Sequence, residues 1–300
     1  DIINFGLEEY LWNQINGYTN YSGEQSIFVL VKQYMMTALA KTSNIEDYSS
    51  FYKQYILDSS KQASNDALLL VDNLKYDKRY NNFQDFIASS LRIEELIKTR
   101  GISDLGNSDV FEVFDVFIIK SIFDSLSTGS LDYDFFENIV KNNRINSHWY
   151  QKHQTEYDAI IEIINLNKSL GYKYFDNLTS EEYIKLYRDN LYKVDLYYRH
   201  VNTLLNQIES YEDSIEVLKN KINNQYEMHL NHIGSYFSKS LEKKKEWNFI
   251  GETPLQHFYA DIQRITFKKM FVIISDALRY EVASELYENI QADPILKGKS

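Results

Sequence analysis

The sequence contains no cysteine and only two prolines among its 300 residues. Without cysteine, the chain can form no disulfide, no thiolate metal site and no cysteine nucleophile, which fits a reducing, cytoplasmic compartment. No apolar run approaches the length of a membrane span, and the first residues lack the pattern of a secretory signal. We therefore expect a cytoplasmic protein without a membrane partner. Because the chain begins with Asp1 rather than methionine, we expect it to be trimmed from something longer.

Positive charge is also scarce, since 32 lysines and arginines face 43 aspartates and glutamates, for a net charge of −11. Such a chain repels phosphate backbones at long range, so direct nucleic-acid binding by this region is not expected. The lysines of "KSLEKKKEW" (239–247) are a local exception, which we interpret as a solvated helix end rather than a nucleic-acid patch.

The scarcity of proline favours helices, because proline inside a helix costs about 3 kcal/mol. Apolar residues recur at helical spacing in five early segments, namely 24–41, 79–99, 109–126, 131–143 and 154–170. The segment 109–126 is apolar nearly all round, and its length favours a buried central helix over a strand. Glycine, asparagine and serine at 100–109 predict a loop, and we place helical subdomains at 1–105 and 106–265.

Two long antiparallel helices are predicted after residue 178. Thr179 and Glu182 have the spacing of a capping box, which marks a helix start. From there an apolar seam with a 3.5-residue period runs to Ile208 and resumes at Tyr211, a pattern typical of helices that pack lengthwise. The change of phase predicts a bend or short loop at 209–214.

The run "MFVIIS" (270–275) differs from everything before it. A continuous apolar run of this length is typical of a strand buried on both faces. Helical spacing follows at Leu278, Val282 and Leu286, so the sequence predicts a strand–turn–helix unit with Asp276 at the carboxyl end of the strand. Ligands bind at that edge of open α/β sheets, so Asp276 could hold a metal or a phosphate-bound cation, or it could cap the helix.

Three stretches resemble one known family. "FVIISDALRYEVASEL" (271–286) is similar to the PglZ family, type A, the phosphatase-like component of BREX phage-defence systems within the alkaline phosphatase superfamily. "NSHWYQKHQTEYDAI" (146–160) and "LYKVDLYYRHVN" (191–202) resemble stretches of the helical region that precedes the phosphatase domain in those proteins. The resemblance implies a mainly α fold, a multi-helix array with long antiparallel helices, followed at 268–300 by the first βα unit of an incomplete alkaline-phosphatase-like α/β domain.

The resemblance also implies a site. Asp276 would be a metal ligand in a centre of two divalent, zinc-like ions, and Arg279 would steer phosphate or be structural. The nucleophile and the other ligands would come later, and no histidine follows Asp276, so we expect no catalytic residue within this chain and no activity from it alone. The complete protein would be a metal-dependent phosphatase- or phosphodiesterase-like hydrolase that works with other BREX proteins. The alternative is a non-catalytic helical scaffold that binds other proteins of the defence complex.

Several histidines are rival candidate sites. His229 and His232 share a helix face and could bind zinc, but the sequence shows no obvious third ligand, and a structural role is favoured. His148 and His153 are more consistent with packing. His200 follows Arg199 beside the predicted seam, where the pair could bond to a neighbouring helix.

Overall fold

The computed structural model describes residues 4–19, 24–57, 61–129, 132–171, 178–242, 244, 249, 257–260 and 273–295. Within these ranges the regular secondary structure is helical, which confirms the mainly α prediction. The chain divides into two compact units, residues 1–160 and 161–300. The subdomain bounds predicted at 105 and 265 remain predictions. None of the described helices is both long and apolar enough to cross a membrane.

Short and medium helices build the first unit. They are α1 Glu8–Thr19, α2 Ile27–Thr42, α3 Ser50–Lys53, α4 Lys61–Leu74, α5 Tyr80–Ser90, α6 Ile93–Ile97, α7 Ile102–Leu105, α8 Val113–Thr128 and α9 Tyr133–Asn138. A π-helical turn, Ile139–Arg144, follows α9 directly. The next helix, α10 (Gln154–Leu170), contributes residues to both units.

Helix α8 is the buried central helix that the sequence predicted. Its side chains Phe114, Ile118 and Ile122 are fully buried. Each such side chain contributes about 1.5–3 kcal/mol by leaving water, so α8 anchors the core of the first unit. Asp115 on the same helix is fully buried as well.

After α10, the next helix of the second unit begins with the predicted capping box. The Glu182 N–H donates to Thr179 Oγ1 (3.3 Å), and the Thr179 N–H donates to Glu182 Oε2 (2.7 Å). The helices of this unit are α11 Ser180–Leu186, α12 Tyr192–Leu205, α13 Glu212–Glu242 and α14 Tyr280–Ala292. The π-helical turn Tyr187–Leu191 separates α11 from α12, so the first of the two predicted long helices is interrupted. The wider turn accompanies a hydrogen bond from Tyr187 to Asp195 (2.6 Å).

Helices α12 and α13 form the predicted antiparallel pair. Lys219 donates a hydrogen bond to Asn206 (2.8 Å), and Tyr226 donates one to Asp195 (2.6 Å). Later residues of α13 thus contact earlier residues of α12, as expected for antiparallel helices. The connection lies at 206–211, within a few residues of the predicted position. Tyr211 takes a φ of 61°, a left-handed conformation typical of a tight reversal.

The predicted βα unit is not seen, although its helix is present as α14. Residues 273–275 form no strand, and the side chains of Ile273 and Ile274 are 93% and 88% exposed. The rest of the predicted strand, 270–272, lies outside the described residues. A strand needs a neighbouring strand to pair its backbone N–H and C=O groups, and the described ranges provide none.

Candidate functional site

Asp276 lies on an exposed turn just before α14. Ala277, the next residue, has a φ of 55°, which residues with a side chain seldom adopt. The N-cap position of α14 belongs to Arg279, three residues further on, so Asp276 is not the cap. The turn therefore presents the Asp276 carboxylate to solvent.

Arg279 is held by two buried carboxylates. Its Nε lies 2.8 Å from Glu281 Oε1, and its Nη2 lies 3.9 Å from Asp195 Oδ1. Asp195 also accepts hydrogen bonds of 2.6 Å from the hydroxyls of Tyr187 and Tyr226. Burial, together with these bonds to a carboxylate, raises the pKa of both tyrosines above the ordinary value, so both remain donors.

A second charged cluster lies beside the first. Glu285 on α14 is ion-paired with Arg199 and accepts a hydrogen bond from His200 Nε2 (2.7 Å). The other ring nitrogen, His200 Nδ1, lies 3.1 Å from Glu162 Oε2 on α10. Burial would raise the pKa of Glu285, but Arg199 and His200 outweigh it and lower that pKa below its ordinary value. His200 thus bridges two neighbouring helices, the packing role that the sequence suggested.

Two of the stretches singled out in the sequence meet here. The 191–202 stretch supplies the residues of α12, and the 271–286 stretch supplies those of α14. Sequence reasoning missed their contact because it joins residues about 85 positions apart.

The described residues do not by themselves form a metal centre. No group of three or more histidine, aspartate or glutamate side chains in the described ranges could hold an ion. His229 is buried, and burial lowers its pKa, while its ring stacks near that of Tyr226 with centroids 6.5 Å apart. The role of Asp276 as a metal ligand stays a prediction.

His148 and His153 belong to the packing of the first unit. His148 lies edge-on to Trp149, with ring centroids 4.6 Å apart. His153 Nε2 lies 3.1 Å from Glu112 Oε1. Burial opposes the charged form of His153, yet the neighbouring carboxylates of Glu112 and Glu156 raise its pKa to about 9.

A fully buried ion pair in the first unit was also missed from sequence. Arg144 Nε donates to Asp115 Oδ1 (3.0 Å), and Tyr157 donates its hydroxyl to the same oxygen (2.5 Å). Arg144 and Asp115 are both 0% exposed, although in the sequence Asp115 reads only as a polar mark on an apolar helix.

Two curated proteins are similar to this chain over almost all of its length. The alkaline phosphatase-like protein PglZ of Bacillus cereus (strain H3081.97) is 28% identical over 296 residues, which cover 95% of this chain and 34% of that protein. The alkaline phosphatase-like protein BrxZ of Escherichia coli O9:H4 (strain HS) is 27% identical over 317 residues, which cover 96% of this chain and 36% of that protein. These similarities support a relationship to the PglZ and BrxZ proteins.

The chain spans about a third of the length of these curated relatives. No protein-family model matches it, and no solved structure matches it either. The relatives support the family resemblance seen in the sequence, while the assignment to type A remains a prediction.

Proposed function

We propose that this chain is the helical region of a PglZ protein, type A, of a BREX phage-defence system, whose complete form is a metal-dependent phosphatase- or phosphodiesterase-like hydrolase of the cytoplasm. One observation carries the proposal. The similarity to two alkaline phosphatase-like proteins covers 95% and 96% of this chain but only 34% and 36% of theirs. The other two thirds of such a protein have room for the remaining strands, ligands and nucleophile of a catalytic domain.

In this proposal Asp276 supplies one ligand to a centre of two divalent, zinc-like ions in the complete protein, and this chain holds no catalytic residue. The exposed turn supports that role because its carboxylate can reach groups outside the helices. For Arg279, the contacts with Asp195 and Glu281 favour the structural role over phosphate steering. Two neighbouring carboxylates offset the positive charge of the guanidinium, which weakens its attraction for a phosphate.

Hydrolysis of p-nitrophenyl phosphate and bis-p-nitrophenyl phosphate, with added zinc or manganese, tests the proposal. We expect no turnover from residues 1–300 and metal-dependent turnover from the protein purified from its own cells. The variant Asp276→Asn should abolish that turnover, whereas the matched variant Asp293→Asn should retain it. If residues 1–300 hydrolyse either ester and Asp276→Asn abolishes that turnover, the proposal that this chain holds no catalytic residue is overturned. Full activity of Asp276→Asn in the complete protein would remove Asp276 from the site.

A second candidate function is a non-catalytic scaffold that binds other BREX proteins. It is favoured by an apolar groove of about 330 Å³ in the second unit. The groove is lined by Tyr183, Ile184, Tyr187, Leu191, Ile233 and Phe237. If the chain acts as a scaffold, the purified protein should hydrolyse neither ester, and Ile233→Glu should release the BREX proteins that co-purify with it. The exposed substitution Val217→Glu on the same helix is the control.

A further inference from the structure

Helix α14 packs on α12 mainly through its charged residues. Glu281 is fully buried and Glu285 is paired, whereas Leu286 and Tyr287 on the same helix are 51% and 63% exposed. A surface helix ordinarily turns its apolar stripe inward and its charges outward. Among the described contacts of α14, the charged pairs and the ring of Tyr280 join it to α12, while Val282 and Ile290 are half-buried.

The first fixed point is Glu285. It faces Arg199 and His200, two successive residues of α12. His200 is itself held from the other side by Glu162 of α10. Hydrogen bonds to an ionised carboxylate are about twice as strong as neutral ones. This point therefore joins α14 to two helices of the second unit.

The second fixed point lies about one helical turn away. Arg279 faces Asp195 on α12, and Asp195 is anchored by hydrogen bonds from Tyr187 and Tyr226. Residues four apart lie one above the other on a helix, so Asp195 and Arg199 share one face of α12. The Arg279–Asp195 contact is the longer of the two, at 3.9 Å, and together the two contacts limit the rotation of α14 as well as its position.

We propose that Asp195, Arg199 and His200 form a platform that positions the Asp276 turn. Asp276 lies only three residues before Arg279, a span of at most about 10 Å of chain. Holding Arg279 therefore limits the positions that the Asp276 carboxylate can occupy. The helical region then sets the geometry of the candidate ligand instead of merely preceding it. The inference rests on the proposed function for the use of Asp276, but not for the docking of α14.

The absence of cysteine allows a direct test on the 300-residue chain. Cysteines introduced as Asp276→Cys on the turn and Asn220→Cys on the exposed side of α13 would be the only thiols, and each takes a spin label. Pulsed electron–electron double resonance then gives the distribution of distances between the label on the turn and the label on α13. Glu285→Gln removes the negative charge that faces Arg199 and His200, and Glu288→Gln makes the same change at an exposed site of the same helix.

We expect a narrow distribution in the parent and in Glu288→Gln, and a clearly broader one in Glu285→Gln. Amide hydrogen exchange in α14 should accelerate about tenfold in Glu285→Gln, as expected when a charge-assisted hydrogen bond is lost. The charge swap Arg199→Glu with Glu285→Arg should partly restore the narrow distance distribution and the slow hydrogen exchange of α14. An unchanged distribution in Glu285→Gln overturns the inference, even if exchange accelerates, because α14 would then loosen without moving the turn. Neither readout depends on metal or turnover, so a failed hydrolysis assay leaves this test intact.

Discussion

Replacing Arg144 with methionine should destabilise the first unit strongly, because it leaves the buried Asp115 without its cation. Arg144 donates from Nε and Nη2 to Asp115 and from Nη1 to the Ser108 carbonyl (2.8 Å), and none of its side chain is exposed. Methionine has a similar length but no donor, so only the Tyr157 hydroxyl would still face the carboxylate. Removing one partner of a buried ion pair typically costs about 3–5 kcal/mol. That is a large share of the roughly 5–15 kcal/mol that stabilises a domain.

The assay is urea unfolding followed by intrinsic tryptophan fluorescence, since Trp12 and Trp149 are both buried in this unit. The matched control is Arg79→Met, because Arg79 forms an ion pair with Asp77 at a site where its side chain is 88% exposed. Exposed pairs contribute at most about 1 kcal/mol, so the control should barely shift the midpoint.

A second variant tests the stated cause. Adding Asp115→Asn to Arg144→Met removes the uncompensated charge, because a neutral amide is far less costly to bury than a carboxylate. The double variant should therefore recover part of the lost stability. A loss below about 1 kcal/mol for Arg144→Met, or no recovery in the double variant, would refute the electrostatic reasoning.

Two further predictions concern stability. The carboxylates of Glu112 and Glu156 raise the pKa of His153 from 6.5 to about 9, so its contribution is fully present below about pH 6.5 and is lost as pH rises through about 9, by at most about 3 kcal/mol. Unfolding measured from pH 6 to 10 should show this decline, and a His153→Gln variant with the same pH dependence would contradict it. At the start of α11, Thr179→Ala should lower the free energy of unfolding by about 1 kcal/mol through loss of the cap to Glu182. An unchanged urea midpoint would show that the cap contributes nothing.

The features that the sequence predicted correctly depend on residues close together in the chain. The apolar character of 109–126 identifies α8, the Thr179–Glu182 spacing identifies the start of α11, and the change of phase locates the connection between α12 and α13. Each is a local pattern whose physical cause acts within a few turns of helix.

The features that sequence reasoning missed depend on distant partners. Residues 273–275 have the composition of a strand, but a strand forms only beside another strand. In the sequence Asp115 is only a polar residue on an apolar helix, and its partners Arg144 and Tyr157 lie 29 and 42 residues away. In the same way, Glu285 and its partners on α12 become a pair only in the folded unit. For the candidate site, the sequence pointed to Asp276 and Arg279 but not to what holds Arg279.

The intact mass of the protein in its own cells is the most direct test of the proposed function. This chain has a mass of 35.5 kDa and covers 34% and 36% of its two relatives, so we expect a mass of about 100 kDa, in the range of a multidomain protein. The additional sequence should contain a serine or threonine nucleophile together with further aspartate and histidine ligands. A mass near 35.5 kDa would contradict the proposed hydrolase, because no catalytic domain would then accompany Asp276, and the scaffold function would take its place.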